Sequence, residues 1–206
     1  MSLPVTRQRA LVLRIAPTGE SFQKIEILTR ETGYILCLKR ISKKAPSPTP
    51  PDLFDSADII LQSPRQGAAR FINDYQLEKR RSSIGQSYRK LQCASEFCSF
   101  MAQNAPHMAE PALLYEITER TLDAFTEKKS PEVVALKALY LLLKDEGYPV
   151  REFWWPQLPE YLRETTKRLI NEPSPENVSE EQLETCLKIT QNLRNWLTLE
   201  TDLTLP

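Results

Sequence analysis

Phe22-Gln23-Lys24-Ile25-Glu26-Ile27-Leu28, then Arg30-Glu31-Thr32-Gly33, then Tyr34-Ile35-Leu36-Cys37-Leu38-Lys39-Arg40-Ile41 reads as two strands joined by a turn. Ile25 and Ile27 share one face while Lys24 and Glu26 share the other, which is the period-two pattern of a half-buried strand. Gly33 falls where such a turn needs positive φ. Upstream, Arg9-Ala10-Leu11-Val12-Leu13-Arg14-Ile15 sets Leu11, Leu13 and Ile15 against Ala10, Val12 and Arg14, and Pro17-Thr18-Gly19 breaks the run. Downstream, Asp58-Ile59-Ile60-Leu61-Gln62 and Arg70-Phe71-Ile72-Asn73-Asp74-Tyr75-Gln76-Leu77 flank the turn Ser63-Pro64-Arg65-Gln66-Gly67. Five short strands in this order predict a small closed antiparallel barrel. The third and fourth strands are separated by Ser42-Lys43-Lys44-Ala45-Pro46-Ser47-Pro48-Thr49-Pro50-Pro51, where four prolines exclude helix and ladder pairing and predict an exposed loop.

From Gln86 the apolar period becomes 3.6. Tyr88, Leu91, Ala94, Phe97, Cys98 and Met101 form a stripe that Asn104-Ala105-Pro106 ends. A second helix is expected over 111–125, with Pro111 in its first turn and Leu113, Leu114, Ile117, Leu122 and Phe125 facing inward. Ser130-Pro131-Glu132 opens a third in N-cap, N1 order, which runs to Gly147 and is apolar nearly all round, so it should be central. A fourth is expected over 160–170. A fifth starts at the Ser179-Glu180-Glu181-Gln182 capping box and reaches Trp196. The fold class is therefore α+β in two domains, a five-stranded barrel over 1–82 and an all-helical bundle over 83–206.

Charge is divided in the same place. Residues 1–90 carry sixteen Lys and Arg against eight Asp and Glu, whereas residues 91–206 carry eleven against nineteen, so a formal net charge of zero hides opposite halves. A basic half coupled to an acidic one suggests two modules with different partners, one of them a polyanion. No run of apolar residues is long enough to span a bilayer, and the first residues lack the apolar core of a signal peptide, so a cytoplasmic protein is expected. Cys37, Cys93, Cys98 and Cys186 form no C-x-x-C pair, which points to reduced, mostly buried thiols and to no structural metal. The single histidine, His107, stands in a Pro-His-Met turn without a nucleophile motif. No P-loop, G-x-S-x-G or H-E-x-x-H occurs either, so neither catalysis nor a cofactor is expected.

Three stretches resemble the RecO family of bacterial recombination mediators. They are Ala10-Leu11-Val12-Leu13 with Gly19-Glu20-Ser21 and 27–35; Leu38-Lys39-Arg40, Lys43-Lys44 and Pro51-Asp52-Leu53-Phe54; and 136–143 followed by Gly147-Tyr148-Pro149. Two departures stand beside them. Residues 150–158 hold none of the zinc-binding cysteines many members carry there, and the basic loop lacks the usual glycine after the lysine. The resemblance implies that the barrel is an oligonucleotide-binding (OB) fold. It also implies that the protein binds single- and double-stranded DNA, anneals complementary strands and helps load recombinase in repair and homologous recombination. Implied partners are RecR and the carboxyl-terminal tail of single-stranded-DNA-binding protein, and the implied location is the bacterial nucleoid.

An OB fold grips single strands with a positive groove and stacking surfaces. The expected DNA contacts are Arg14, Lys24, Lys39, Arg40, Lys43, Lys44, Arg65, Arg70, Lys79, Arg80 and Arg81. The last three, with Arg89 and Lys90, either extend the nucleic-acid path or tie the two modules through ion pairs. Phe22, Tyr34, Phe71 and Tyr75 are the candidate stacking platforms, although strand parity makes core packing the default for Phe71 and Tyr75. In the bundle, Phe153, Trp154 and Trp155 are expected to line an apolar partner pocket rimmed by Lys137, Lys144 and Arg151, while core burial is the ordinary fate of such tryptophans. A non-catalytic adaptor whose basic barrel docks an acidic protein is the alternative function.

Overall fold

Strand β1 (Val5–Thr18) is long enough to serve both edges of one sheet, pairing antiparallel with β2 (Phe22–Thr29) and with β4 (Ser56–Gln62). β3 (Gly33–Arg40) continues from β2, and β5 (Arg70–Lys79) pairs with β4. Two parallel rungs, Cys37 with Arg70 and Leu38 with Phe71, join β3 to β5 and close a barrel in the order β1-β2-β3-β5-β4. The computed structural model describes residues 4–41, 49–64, 66–175 and 177–206. Lys43, Lys44 and Arg65 lie outside the described residues, as do residues 42–48 of the proline-rich loop.

The barrel interior is filled by Ala10, Val12, Ile25, Ile27, Ile35, Cys37, Ala57, Ile59, Leu61, Ile72 and Tyr75. The expected face of β1 needs correction. Ala10 and Val12 point inward, and the register then shifts between Val12 and Arg14, so that Ile15 rather than Arg14 joins them. A bulge adds one residue to one strand and swaps its inward parity. Leu11, Leu13 and Leu28 consequently lie on the outer side, yet all three are buried. A second shift, between the Ile60–Asp74 and Leu61–Ile72 rungs, allows Ile72 and Tyr75, three apart, to face the same core.

The chain divides into two compact units, Met1–Ser82 with Met101–Glu119, and Ser83–Phe100 with Arg120–Pro206. The barrel unit thus takes in a helical segment beyond residue 82. Arg30 Nη2 lies 2.7 Å from Glu116 Oε1, and ring carbons of Pro111 lie 3.5 Å from where a Cβ on Gly33 would sit. The segment thus meets the barrel at the β2–β3 turn. It also alters the electrostatics, because 101–119 contains Glu110, Glu116 and Glu119 and neither Lys nor Arg. The barrel unit holds fourteen Lys and Arg against eleven Asp and Glu, a net charge of +3, far below the +8 of residues 1–90.

The helices are α1 (Ser82–Gly85), α2 (Tyr88–Asn104), α3 (Pro111–Glu127), α4 (Pro131–Asp145), α5 (Trp155–Gln157), α6 (Glu160–Asn171) and α7 (Glu180–Glu200), with a 3-10 turn at Ala105–His107 and a π turn at Val150–Trp154. In the second unit α4 is central, with nine of its fifteen residues buried, and it packs on α6, α7 and the π turn. The capping box at Ser179 and Gln182 is made in both directions. Ser130 differs from its expected cap role, since its hydroxyl donates to Pro175 O instead of accepting from its own helix. Among the described residues no helix is long and apolar enough to cross a membrane.

Candidate nucleic-acid interface

The outer face of the β2–β3 ladder carries three successive rungs, Phe22 opposite Arg40, Lys24 opposite Leu38 and Glu26 opposite Leu36. Phe71 joins beside Leu38 across the parallel seam. Phe22 and Phe71 meet edge to face, with centroids 6.2 Å apart and an interplanar angle of 61°. They form the wall of an open groove of about 560 Å³ with Leu38, Arg40, Gln62 and Asn73. Both rings are half-buried, so Phe71 does not take the core position that parity assigned it by default. Arg40 is exposed and forms no ion pair among the described residues. A shallow apolar seat beside an exposed guanidinium is suited to a flat ring carrying a negative tail.

Arg14 and Lys24 lie on the same face but share a carboxylate. Glu26, only 6% exposed, has Lys24 Nζ at 3.0 Å and Arg14 Nη1 at 3.8 Å, and it accepts a hydrogen bond from the Tyr34 hydroxyl at 3.1 Å. Burial, followed by the charge of Glu26, pushes the Tyr34 phenol up to about 12. Tyr34 is thereby committed to orienting a carboxylate.

Lys39 and Arg70 occupy the other side of the sheet. Lys39 has the parity of Ile35 and Cys37, and its ammonium lies 5.9 Å from the Tyr75 ring centroid, a cation–π approach at the barrel mouth. Burial lowers its pKa, against a smaller raising by Asp74. Arg70 is the parallel partner of the core residue Cys37 and half-buried. Lys24, Lys39 and Arg70 therefore do not share one face.

Arg80 and Arg81 are tied down within the fold. Asp55 is fully buried and accepts from Arg80 Nε at 3.1 Å, Arg80 Nη2 at 2.9 Å, the Tyr75 hydroxyl at 2.7 Å and the Asp52 amide at 2.9 Å. Tyr75 is thus a core residue whose hydroxyl anchors this network. Arg81, 2% exposed, donates to Phe54 O at 2.7 Å and to Ser56 Oγ at 2.9 Å. It clamps Phe54, whose φ of +67° is uncommon for a residue with a side chain. Lys79 ends β5 on the rung with Ser56 and is exposed. On β1, Arg7 pairs with Asp58 and Arg9 with Glu78, both at 2.7 Å, which neutralises that part of the surface.

In the helical unit the expected partner residues take different positions. Trp154 is fully buried, its indole N–H donating to Asn192 Oδ1 at 2.8 Å and its ring 5.9 Å from Tyr140. Trp155 meets it edge on, whereas Phe153 is 60% exposed. Lys137 donates to Glu172 O, Lys144 lies 3.6 Å from Asp145, and a hydrogen bond with the Tyr140 hydroxyl raises the pKa of exposed Arg151. Another groove, of about 690 Å³, lies between α2, α4 and α7. Phe97, Phe100, Leu139 and Leu187 line it, and ion pairs Arg89–Glu132, Lys188–Glu184 and Arg194–Glu96 surround it. Its residues come from three helices far apart in sequence, so no local motif announces it.

All four cysteines are free, with Cys37, Cys98 and Cys186 buried and Cys93 half-buried. His107 is exposed at the end of the 3-10 turn, and among the described residues no group of three His, Cys, Asp or Glu is placed to hold a metal ion. No family model matches the chain, and no curated protein matches it.

Proposed function

We propose that this protein is a non-catalytic, DNA-binding recombination mediator of the RecO type, with no cofactor, acting in DNA repair and homologous recombination. In this reading the barrel is an OB fold that holds single-stranded DNA against its β2–β3 face. The same face and its cationic neighbours take up duplex more weakly, and holding two strands promotes annealing and recombinase loading. One observation carries it: the barrel closes in the order β1-β2-β3-β5-β4, and its β2–β3 face carries the Phe22–Phe71 pair beside the exposed Arg40. That face is where OB folds receive oligonucleotides. RecR and the tail of single-stranded-DNA-binding protein are the proposed protein partners, the tail lying in the groove between α2, α4 and α7.

The test is a fluorescence anisotropy titration of a labelled single strand at two salt concentrations. Binding should weaken steeply with salt, because phosphate contacts release counterions. Phe71→Ala should weaken binding by about tenfold, the worth of one base–aromatic stack, and Arg40→Ala should lower the salt dependence. Absence of binding at low salt, or binding indifferent to salt, sinks the reading. The adaptor alternative draws on a different observation, that Arg14, Lys24, Arg80 and Arg81 are already engaged inside the chain. An acidic protein captured by a barrel that ignores DNA would establish it.

A further inference from the structure

The groove holds more than stacking surfaces. At its rim the Asn73 amide N–H donates to Gln62 Oε1 at 3.2 Å, joining the end of β4 to β5 in an exposed position. Gln62 is the rung partner of Phe71, and Asn73 is the extra residue of the β5 bulge. Bulges re-aim side chains, and this one directs Asn73 to the groove while Ile72 and Tyr75 go to the core. Among the described residues, their mutual bond leaves Gln62 both N–H donors and Asn73 its carbonyl acceptor and one N–H. A donor and an acceptor held side by side above an aromatic seat complement the edge of a base. Two amides merely bonded on a surface would not need an apolar floor of Phe22, Leu38 and Phe71 beneath them.

We propose that this groove is a pocket for one unstacked nucleobase, seated on Phe71 and Phe22, read along its edge by Gln62 and Asn73, and followed by a phosphate on Arg40. The inference rests on the single-strand reading above and deepens it. Binding is base-selective, where phosphate contact and stacking alone leave it nearly sequence-blind. A paired base has its edge occupied and cannot enter, so duplex gains nothing from the pocket.

The experiment uses the full chain and labelled 12-mers of dA, dC and dT at one salt concentration. The native protein should show a spread of at least about fivefold between best and worst strand, the low end of what a bidentate base contact supplies. In the double variant Gln62→Ala/Asn73→Ala the spread should fall below about twofold while the salt dependence is kept, and Phe71→Leu should weaken all three strands together. Both amides are at the rim, and circular dichroism checks that the variant is folded. Equal affinities in the native protein, or a spread that survives in the amide variant, overturn the base pocket and leave the single-strand reading intact. Failure of every strand to bind at low salt overturns both.

Discussion

Glu26→Gln should make this protein bind single strands more tightly and more salt-sensitively. The carboxylate sits on the proposed DNA face, 6% exposed, between Lys24 Nζ at 3.0 Å and Arg14 Nη1 at 3.8 Å. An arriving phosphate therefore meets two cations and one anion, a net of one positive charge. Glutamine keeps the shape and can still accept the Tyr34 hydroxyl, 3.1 Å away in the native protein, but it removes the anion. One further phosphate equivalent steepens the slope of log affinity against log salt by about 0.7 for a single strand, which is about a 2.6-fold larger loss between 50 and 200 mM. Lys24 and Arg14 are 43% and 47% exposed, so the ion pairs are screened, and the substitution should cost about 1 kcal/mol of stability or less. Anisotropy across five salt concentrations reads the slope, and Lys24→Ala/Glu26→Gln should return it to the native value. An unchanged slope, or weaker binding at low salt by a folded variant, refutes the idea that Glu26 restrains this surface.

Asp55→Asn should lower stability by about 1–3 kcal/mol in a urea titration, because it weakens the bonds from Arg80, Tyr75 and the Asp52 amide to a buried acceptor while the partly exposed Arg80 regains water; an unchanged midpoint would contradict that role. Trp154→Phe should cost about 1–3 kcal/mol through loss of the bond to Asn192 and of ring contact with Tyr140, and a thermal melt that does not shift would show the indole to be dispensable. Burial pushes the thiols of Cys37 and Cys93 up to about 12 and that of Cys186 to about 11. Since only the thiolate is alkylated, these sites in the native protein should react with iodoacetamide far more slowly at pH 8 than a free cysteine, and faster as pH rises. Peptide mapping that finds any of the three labelled at the free-cysteine rate refutes it.

The hairpin 22–40 is legible because Ile25, Ile27, Ile35 and Cys37 recur at every second position on one face, and the capping box at Ser179 because its partners are three residues apart. Misreadings occur where the signal is non-local. Strict alternation groups Ile15 with Leu11 and Leu13, but the register shift between Val12 and Arg14 moves Ile15 to the side of Ala10 and Val12. Arg80 and Arg81 count as positive charge in any sum over sequence, although Asp55 and the Phe54 carbonyl, more than twenty residues away, take up their donors. Phe22 and Phe71 are both candidate stacking platforms in the sequence, but that the two rings meet follows only from the parallel seam.

Local periodicity and charge were enough to specify a five-stranded barrel followed by helices, because strand parity and helical stripes are properties of neighbours in the chain. Which cations remain available, which aromatics share a groove and how strong the charge division is were decided by tertiary structure alone. Pairing a charge or assembling a pocket requires residues that are distant in sequence. The +8 of the first ninety residues becomes +3 in the barrel unit, because Arg89 and Lys90 fall in the other unit and three glutamates arrive with 101–119, a helical segment whose own pattern records only that it needs an apolar surface to cover.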